Sequence, residues 1–246
     1  MKLFKQVFGR IWAAWGLIIF AVSMIVFLVP FLLFGYFRPD PEKTNIFIRF
    51  SRVWMNIFLN LIGCPLTVNG REYFKKGETY IVVCNHNSFM DVPVCSPGIP
   101  GGNKTIAKIE ISRVPVFGML YKTGSVLVDR KSESSRRESF GKMKDVLNMG
   151  LHMCIYPEGT RNKTDQPLKS FHDGAFKLAL ATGRSMIPAL IFNTRETLPA
   201  DQPFMLIPHR LRMDFLPPVA VQPTDTVESL KKRVFDIMSD YYQQNK

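Results

Sequence analysis

The longest pattern in the chain is apolar and continuous: Ile11 to Phe37 holds 27 residues without a charge. At roughly 1.5 Å per residue, a helix of that length crosses a bilayer core of roughly 30 Å with tilt to spare. Pro30 is expected to kink it, and Arg38-Pro39-Asp40-Pro41 to end it. The run closes on Phe31-Leu32-Leu33-Phe34-Gly35-Tyr36-Phe37, bulky where a signal peptidase needs small residues, which argues against a cleaved leader. A second helix is expected from about Asn45 to Ile62. Asn45, Arg49, Arg52, Asn56 and Asn60 recur every three or four residues as one polar stripe. Ile46, Phe47, Phe50, Val53, Trp54, Ile57, Phe58 and Leu61 cover the rest. Such a helix lies in a membrane interface, packs back on the first helix, or serves as a core helix.

From about Val68 the period changes. Short apolar runs at Thr79–Cys84, Thr105–Lys108, Ser125–Val128, Met153–Tyr156, Met186–Phe192 and Leu211–Leu216 predict strands. Helical patterns fall near Phe89–Cys95, Val116–Lys122, Ser134–Met149, Gly174–Thr182 and Thr226–Gln243. The last has an inward stripe of Val227, Leu230, Val234, Ile237, Met238 and Tyr241, and Asp225 with Glu228 suits a capping box. This alternation predicts an α/β fold with a mostly parallel or mixed central sheet flanked by helices. An N-terminal two-helix membrane-anchoring motif precedes it. The division is expected at residues 1–64 for the anchor and 65–246 for the catalytic domain.

The formal charge is +12 and the isoelectric point about 9.7, which calls for an acidic partner. No zinc-finger spacing, RNA-binding aromatic signature or dense basic helix is present, so nucleic acid is not the expected partner. Residues 44–246 hold 27 basic and 18 acidic residues, and Lys2, Lys5 and Arg10 make the N-terminus basic. Both prefer the cytoplasmic side of a membrane. A helical hairpin, or a pair buried in one leaflet, keeps them there together. Cys64, Cys84, Cys95 and Cys154 include no Cys-x-x-Cys pair, which fits packed, reduced thiols.

The candidate chemistry starts where the strand Tyr80-Ile81-Val82-Val83 runs into Cys84-Asn85-His86-Asn87-Ser88-Phe89-Met90-Asp91. A histidine held by a carboxylate is a minimal general base for a hydroxyl. Ser88-Phe89-Met90-Asp91 is equally a helix-capping box, and the two roles are compatible. Gly124–Val128 leads into Asp129-Arg130, putting a guanidinium suited to phosphate at a strand's carboxyl end, or a solvated charge at a loop start. Tyr156-Pro157-Glu158-Gly159-Thr160-Arg161 leaves another strand through a turn, as a ligand loop or as a plain turn with a surface ion pair.

Taken in order, Asn85-His86-x-x-x-x-Asp91, Gly124…Asp129-Arg130, Tyr156-Pro157-Glu158-Gly159-Thr160-Arg161 and Ile187-Pro188 resemble the four blocks of the glycerolipid acyltransferases. The likeness is to the 1-acyl-glycerol-3-phosphate (lysophosphatidic acid) acyltransferase branch, over about Leu61 to Phe192. Phe171 with Gly174-Ala175-Phe176-Lys177-Leu178-Ala179 is similar to the family's helix between the third and fourth blocks. Two departures are visible: Tyr156 replaces the usual Phe, and Ile187-Pro188-Ala189-Leu190-Ile191 lacks a second proline often found there. The resemblance implies His86 as base and Asp91 as its partner. It implies Arg130, Glu158, Gly159, Thr160 and Arg161, with Lys108, as the phosphate-binding set. The implied donor is acyl-CoA or acyl-carrier protein, the acceptor lysophosphatidic acid, the product phosphatidate, with no cofactor. Backbone amides near Asn87 or Gly159 are candidate oxyanion donors.

Rival readings are thinner. No Gly-x-Ser-x-Gly elbow accompanies Ser88, so a serine hydrolase is not expected. Pro100-Gly101-Gly102-Asn103-Lys104-Thr105 lacks the strand and Gly-Lys pair of a phosphate loop. His86, His152, His172 and His209 share no ligand spacing, so no metal is expected. Glycerol 3-phosphate or a lyso-aminolipid are alternative acceptors. A basic membrane adaptor that binds anionic lipid would leave both the His/Asp and the Pro-Glu-Gly-Thr-Arg blocks without a role.

Overall fold

The strands are short because all but the edge strand at residues 66–69 are largely buried on both faces and need only a few residues to cross the core. In the computed structural model, which describes residues 2–245, seven of them form one sheet. They are β1 (Leu66–Asn69), β2 (Ile81–Cys84), β3 (Asn103–Lys108), β4 (Ser125–Val128), β5 (His152–Ile155), β6 (Met186–Phe192) and β7 (Leu211–Phe215). Their spatial order is β1-β7-β6-β2-β5-β3-β4. The central strands β6, β2, β5, β3 and β4 are parallel, and β7 pairs antiparallel with β6 while carrying β1 at the edge. The sheet is therefore mixed and mostly parallel, as expected. β1 is the strand that the sequence pattern does not predict: with only Leu66 and Val68 apolar, it pairs solely with β7 at the edge.

Successive strand residues feed opposite layers, which is why the strands read as unbroken apolar runs. Val82, Cys84, Cys154, Tyr156, Ile187 and Ala189 face a core shared with the N-terminal helices and with α3 (Asp91–Gly98) and α4 (Phe117–Thr123). Ile81, Val83, Met153, Ile155, Met186 and Leu190 face the other, beneath α5 (Glu133–Asn148), α6 (Gly174–Thr182) and α8 (Val227–Asn245). α7 (Thr194–Thr197) is a single turn after β6. α3 begins at Asp91 rather than Phe89, because Ser88 to Met90 forms a turn in which Ser88 Oγ accepts from the Met90 amide.

The first two helices, α1 (Lys2–Phe34) and α2 (Glu42–Leu61), form an antiparallel hairpin. Trp12 Nε1 donates to Ile62 O at 2.9 Å, Trp54 Nε1 donates to Ser23 Oγ at 2.8 Å, and Phe31 meets Phe47 edge-on. α1 starts earlier than the apolar run, taking in the basic N-terminal residues, and continues through Pro30. α2 buries Thr44, Ile48, Ser51, Trp54, Met55, Phe58 and Leu59. Part of the polar stripe faces inward. Arg52 is half-buried and donates to Pro97 O and Ile99 O at 2.9 and 3.0 Å, capping the carboxyl end of α3. Asp40, in the hairpin turn, binds Lys104 Nζ of β3 at 2.7 Å. The hairpin is thus fastened to the helix and sheet that carry the site.

α1 is the one described helix long and apolar enough to cross a membrane, and almost none of its apolar stretch is buried. Leu17, Val22, Ile25, Val26, Val29, Leu33 and Phe34 are exposed, as are Val53, Ile57 and Leu61 of α2. Continuous apolar surface of this kind is unusual on a water-soluble monomer.

Candidate active site

Parallel strands deliver their carboxyl ends to one edge of the sheet, the usual place for a site in such folds. His86 follows β2, Glu158 and Gly159 follow β5, Lys108 ends β3, Arg130 follows β4 and Thr194 follows β6. Asn85 holds the end of β2 to β6. Its side chain donates to Ile191 O at 3.0 Å and accepts from Ile191 N at 2.7 Å, fully buried.

The centre is the contact between His86 Nδ1 and Asp91 Oδ2, at 2.8 Å. Asp91 is completely buried, and four donors satisfy it. Oδ2 also accepts from the amides of Asn87 at 2.6 Å and Ser88 at 2.7 Å, and Oδ1 accepts from Thr194 Oγ1 at 2.5 Å. Asp91 is therefore both the reach-back residue of a capping box and the partner of the imidazole. With Nδ1–H given to the carboxylate, Nε2 is the lone-pair nitrogen. The ring lies against Tyr156, with centroids 4.5 Å apart, and the His86 side chain is 18% exposed, enough for Nε2 to meet a substrate. Ser88 is no nucleophile: its hydroxyl donates to Leu198 O at 2.7 Å.

Glu158 braces the base from the neighbouring strand. Oε1 accepts from the His86 amide at 2.9 Å and Oε2 from the Lys169 amide at 3.1 Å. Burial pushes its carboxyl up to about 7, against the lowering pull of those two amides. Gly159 takes φ of +69°, and a Cβ there would press on the ring of His172 at 2.7 Å. Its carbonyl accepts from Arg130 Nη1, so the arginine after β4 reaches across β3 to the loop after β5. The guanidinium of Arg161 stacks on Phe89, 3.8 Å from the ring centroid. Thr160 Oγ1 accepts from Lys169 Nζ at 2.8 Å.

Of the expected residues, His86, Asp91, Glu158, Gly159 and Arg130 are joined in one hydrogen-bonded unit, and Thr160 and Arg161 flank it. Lys108 is exposed at the end of β3, between the strands that lead to Glu158 and Arg130, and is not hydrogen-bonded into that unit. Among the described residues Lys108, Arg130, Arg161 and Lys169 make no ion pair with a carboxylate. The expected oxyanion amides are already committed, that of Asn87 to Asp91 and that of Gly159 to Tyr156 O at 3.0 Å. Thr194 and Lys169 escaped the sequence reading. Thr194 lies 103 residues from Asp91 and joins it only through the pairing of β6 with β2. Its one local signal is its place at a strand's carboxyl end.

Residues 65–192 match the family model described as Acyltransferase. The chain belongs to this family. It is 34% identical over 147 residues to a 1-acyl-sn-glycerol-3-phosphate acyltransferase of Cocos nucifera, covering 59% of this chain and 47% of that protein. A protein of that description from Borreliella burgdorferi is 31% identical over 146 residues, 59% of this chain and 58% of the relative. The chain thus spans about half the length of these curated relatives. The crystal structure of the 1-acyl-sn-glycerophosphate (LPA) acyltransferase PlsC from Thermotoga maritima superposes with a TM-score of 0.83 at 22% identity. It covers 98% of this chain and 97% of that one, so the two share a fold from the hairpin onward.

Two outcomes follow from this geometry. Replacing Thr194 by Val strips a donor from a buried carboxylate, a loss of about 1–3 kcal/mol that falls on the orientation of His86. For the acyl transfer proposed below, the rate of Thr194→Val should drop about tenfold or more, while Thr194→Ser keeps near-normal turnover; equal rates in the two variants contradict the assignment. Glu158 has its folded pKa raised above the unfolded value, so the folded state holds the extra proton between about 4.5 and 7. That contribution to stability is complete below about 4.5 and is lost as pH rises through about 7. Urea unfolding at pH 5 and pH 8 should show a fall in stability that is smaller in Glu158→Gln.

Proposed function

We propose that this chain moves a fatty acyl group from an acyl thioester to the 2-hydroxyl of 1-acyl-glycerol 3-phosphate, yielding phosphatidate for phospholipid synthesis. The observation that carries the reading is an imidazole locked by a buried carboxylate at a sheet edge ringed with cations that lack acidic partners. A lipid hydroxyl is a poor nucleophile at neutral pH. Nε2 of His86 takes its proton as the oxygen attacks the thioester carbonyl, an assistance of typically 10²–10⁴-fold. The carbonyl becomes tetrahedral, the C–S bond breaks, and the imidazolium returns its proton to the departing thiolate. Asp91 keeps the tautomer and stabilises the imidazolium meanwhile. The substrate oxygen is the nucleophile, so the step requires no acyl-enzyme.

A phosphomonoester suits the cation ring. Arg130 and Arg161 give planar, multidentate donors, with Lys108 and Lys169 as point charges behind them. Glu158 serves this clamp from beneath: both its oxygens are occupied by backbone amides, so it fixes the loop and the base rather than meeting the phosphate. Gly159 lets the headgroup approach the backbone. Thr160 lies at the same turn and steers Lys169. The exposed apolar hairpin gives the reason a lipid is at hand: residues 1–64 act as a membrane anchor, and the basic domain 65–246 works at the cytoplasmic face. The donor is acyl-CoA or acyl-carrier protein, both polyanionic.

The test is a transfer assay of the purified chain in mixed micelles. One labelled acyl group is offered as the CoA or carrier-protein thioester to lysophosphatidic acid, glycerol 3-phosphate and a lyso-aminolipid. Phosphatidate from lysophosphatidic acid alone is the expected product. Arg130→Ala or Arg161→Ala should raise the acceptor KM about tenfold or more, as expected for losing ~1.5–3 kcal/mol of charge-assisted hydrogen bonding. Acylation of the lyso-aminolipid, or an unchanged KM in both variants, contradicts the reading.

A further inference from the structure

Directly beneath the His86–Asp91 pair, three cysteines that are far apart in sequence meet in the core. Cys84 comes from β2, Cys154 from β5 and Cys95 from α3. Their sulfurs are separated by 3.0 Å (Cys84–Cys95), 3.4 Å (Cys95–Cys154) and 4.0 Å (Cys84–Cys154). All are free thiols, and none is more than 1% exposed. Two of these separations are shorter than ordinary sulfur–sulfur packing, so the three side chains converge on one point rather than lining a surface. No Cys-x-x-Cys motif announces such a site; the parallel pairing of β2 with β5 and the placement of α3 create it.

Three converging sulfurs, with no fourth ligand among the described residues, suit an atom that bonds three thiolates at once. Charge and shape then select among candidates. A planar Cu(I) or Zn(II) centre, with metal–sulfur bonds of about 2.3 Å, wants sulfurs about 4 Å apart. Only one of the three edges has that length. Either ion also leaves a net negative charge on three thiolates, in a fully buried core whose neighbouring polar groups are the hydroxyls of Tyr156 and Thr105 and the imidazole of His86, which is itself paired with Asp91. A trivalent group-15 centre answers the charge objection and suits the two shorter edges, the third closing as the bonds form. Its lone pair makes the three bonds pyramidal, with angles near a right angle, so its sulfurs sit closer together than in a planar site. Three thiolates on a +3 centre are neutral, which a fully buried site accepts without desolvating an ion.

We propose that Cys84, Cys95 and Cys154 form a binding site for one trivalent arsenic atom, delivered as neutral arsenous acid. The exchange is balanced without oxidant or reductant. Three As–O bonds break and three As–S bonds form, and each thiol proton leaves with a hydroxide as water. Arsenic stays at +3 and each cysteine stays at its thiol oxidation level. Burial raises the Cys84 and Cys95 thiols, so these bring protons to the exchange, while hydrogen bonds from both lower Cys154. Cys64 belongs to a different part of the core, near His209 and Thr197, and takes no part.

The experiment uses the full chain in detergent, incubated for a prolonged period with sodium arsenite alone and desalted. Native mass spectrometry should find one adduct per chain, its mass increase equal to one arsenic less three hydrogens. Arsenic X-ray absorption should report three sulfur neighbours and no oxygen. Cys64→Ala should keep the adduct, and Cys95→Ala should lose the three-hydrogen form. No adduct on the wild-type chain overturns the proposal. So does a mass or spectrum that retains a hydroxyl on arsenic, or the full adduct in Cys95→Ala. The wild-type measurements stand whether or not a cysteine variant folds.

Discussion

A carboxylate with no exposure to water must find its donors inside the protein, and the four that Asp91 finds organise this molecule's candidate site. Two are backbone amides that shape the turn between β2 and α3. One is the imidazole of His86, and one is the hydroxyl of Thr194 after β6. An unsatisfied buried carboxylate costs several kcal/mol, so turn, helix start and imidazole orientation are fixed by one requirement. Helix capping and base orientation, which compete as readings of Asn85 to Asp91, are the same set of hydrogen bonds.

The remainder of the site is braced from neighbouring strands. Asn85 clamps β2 to β6, Glu158 ties the loop after β5 to the His86 amide, and Arg130 joins that loop to the end of β4. Side chains for the base and for the cation ring come from four adjacent parallel strands, with Thr194 supplied by a fifth. The opposite side of the hairpin is apolar and exposed, yet its inner side is tied to this edge through Asp40–Lys104 and through Arg52 at the end of α3. The exposed apolar surface and the candidate site are therefore mechanically continuous.

Most of the architecture was legible because it rests on local pattern. Apolar runs four to seven residues long mark doubly buried strands, and the 27-residue uncharged stretch marks α1. What escaped depends on pairing between distant segments. β1 is a strand only because β7 lies beside it. Thr194 matters only because β6 places it over Asp91, and the three sulfurs meet only once β2, β5 and α3 are assembled. Arg52 read only as one member of a polar stripe, since helical spacing cannot reveal a carbonyl end waiting opposite. The amides of Asn87 and Gly159 looked available in sequence because hydrogen bonds already made are invisible there. Lys108 ends β3, between the strands that lead to Glu158 and Arg130, and is exposed there.

The central claim is that His86 removes the acceptor's proton. His86→Ala deletes that function while leaving Asp91 its two amides and Thr194. The decisive measurement is the single-turnover rate of acyl transfer to lysophosphatidic acid by His86→Ala, made beside a thermal unfolding curve. The account predicts a rate lowered by about 10²–10⁴-fold in a chain that still unfolds cooperatively. A folded variant that transfers acyl groups at the wild-type rate contradicts it.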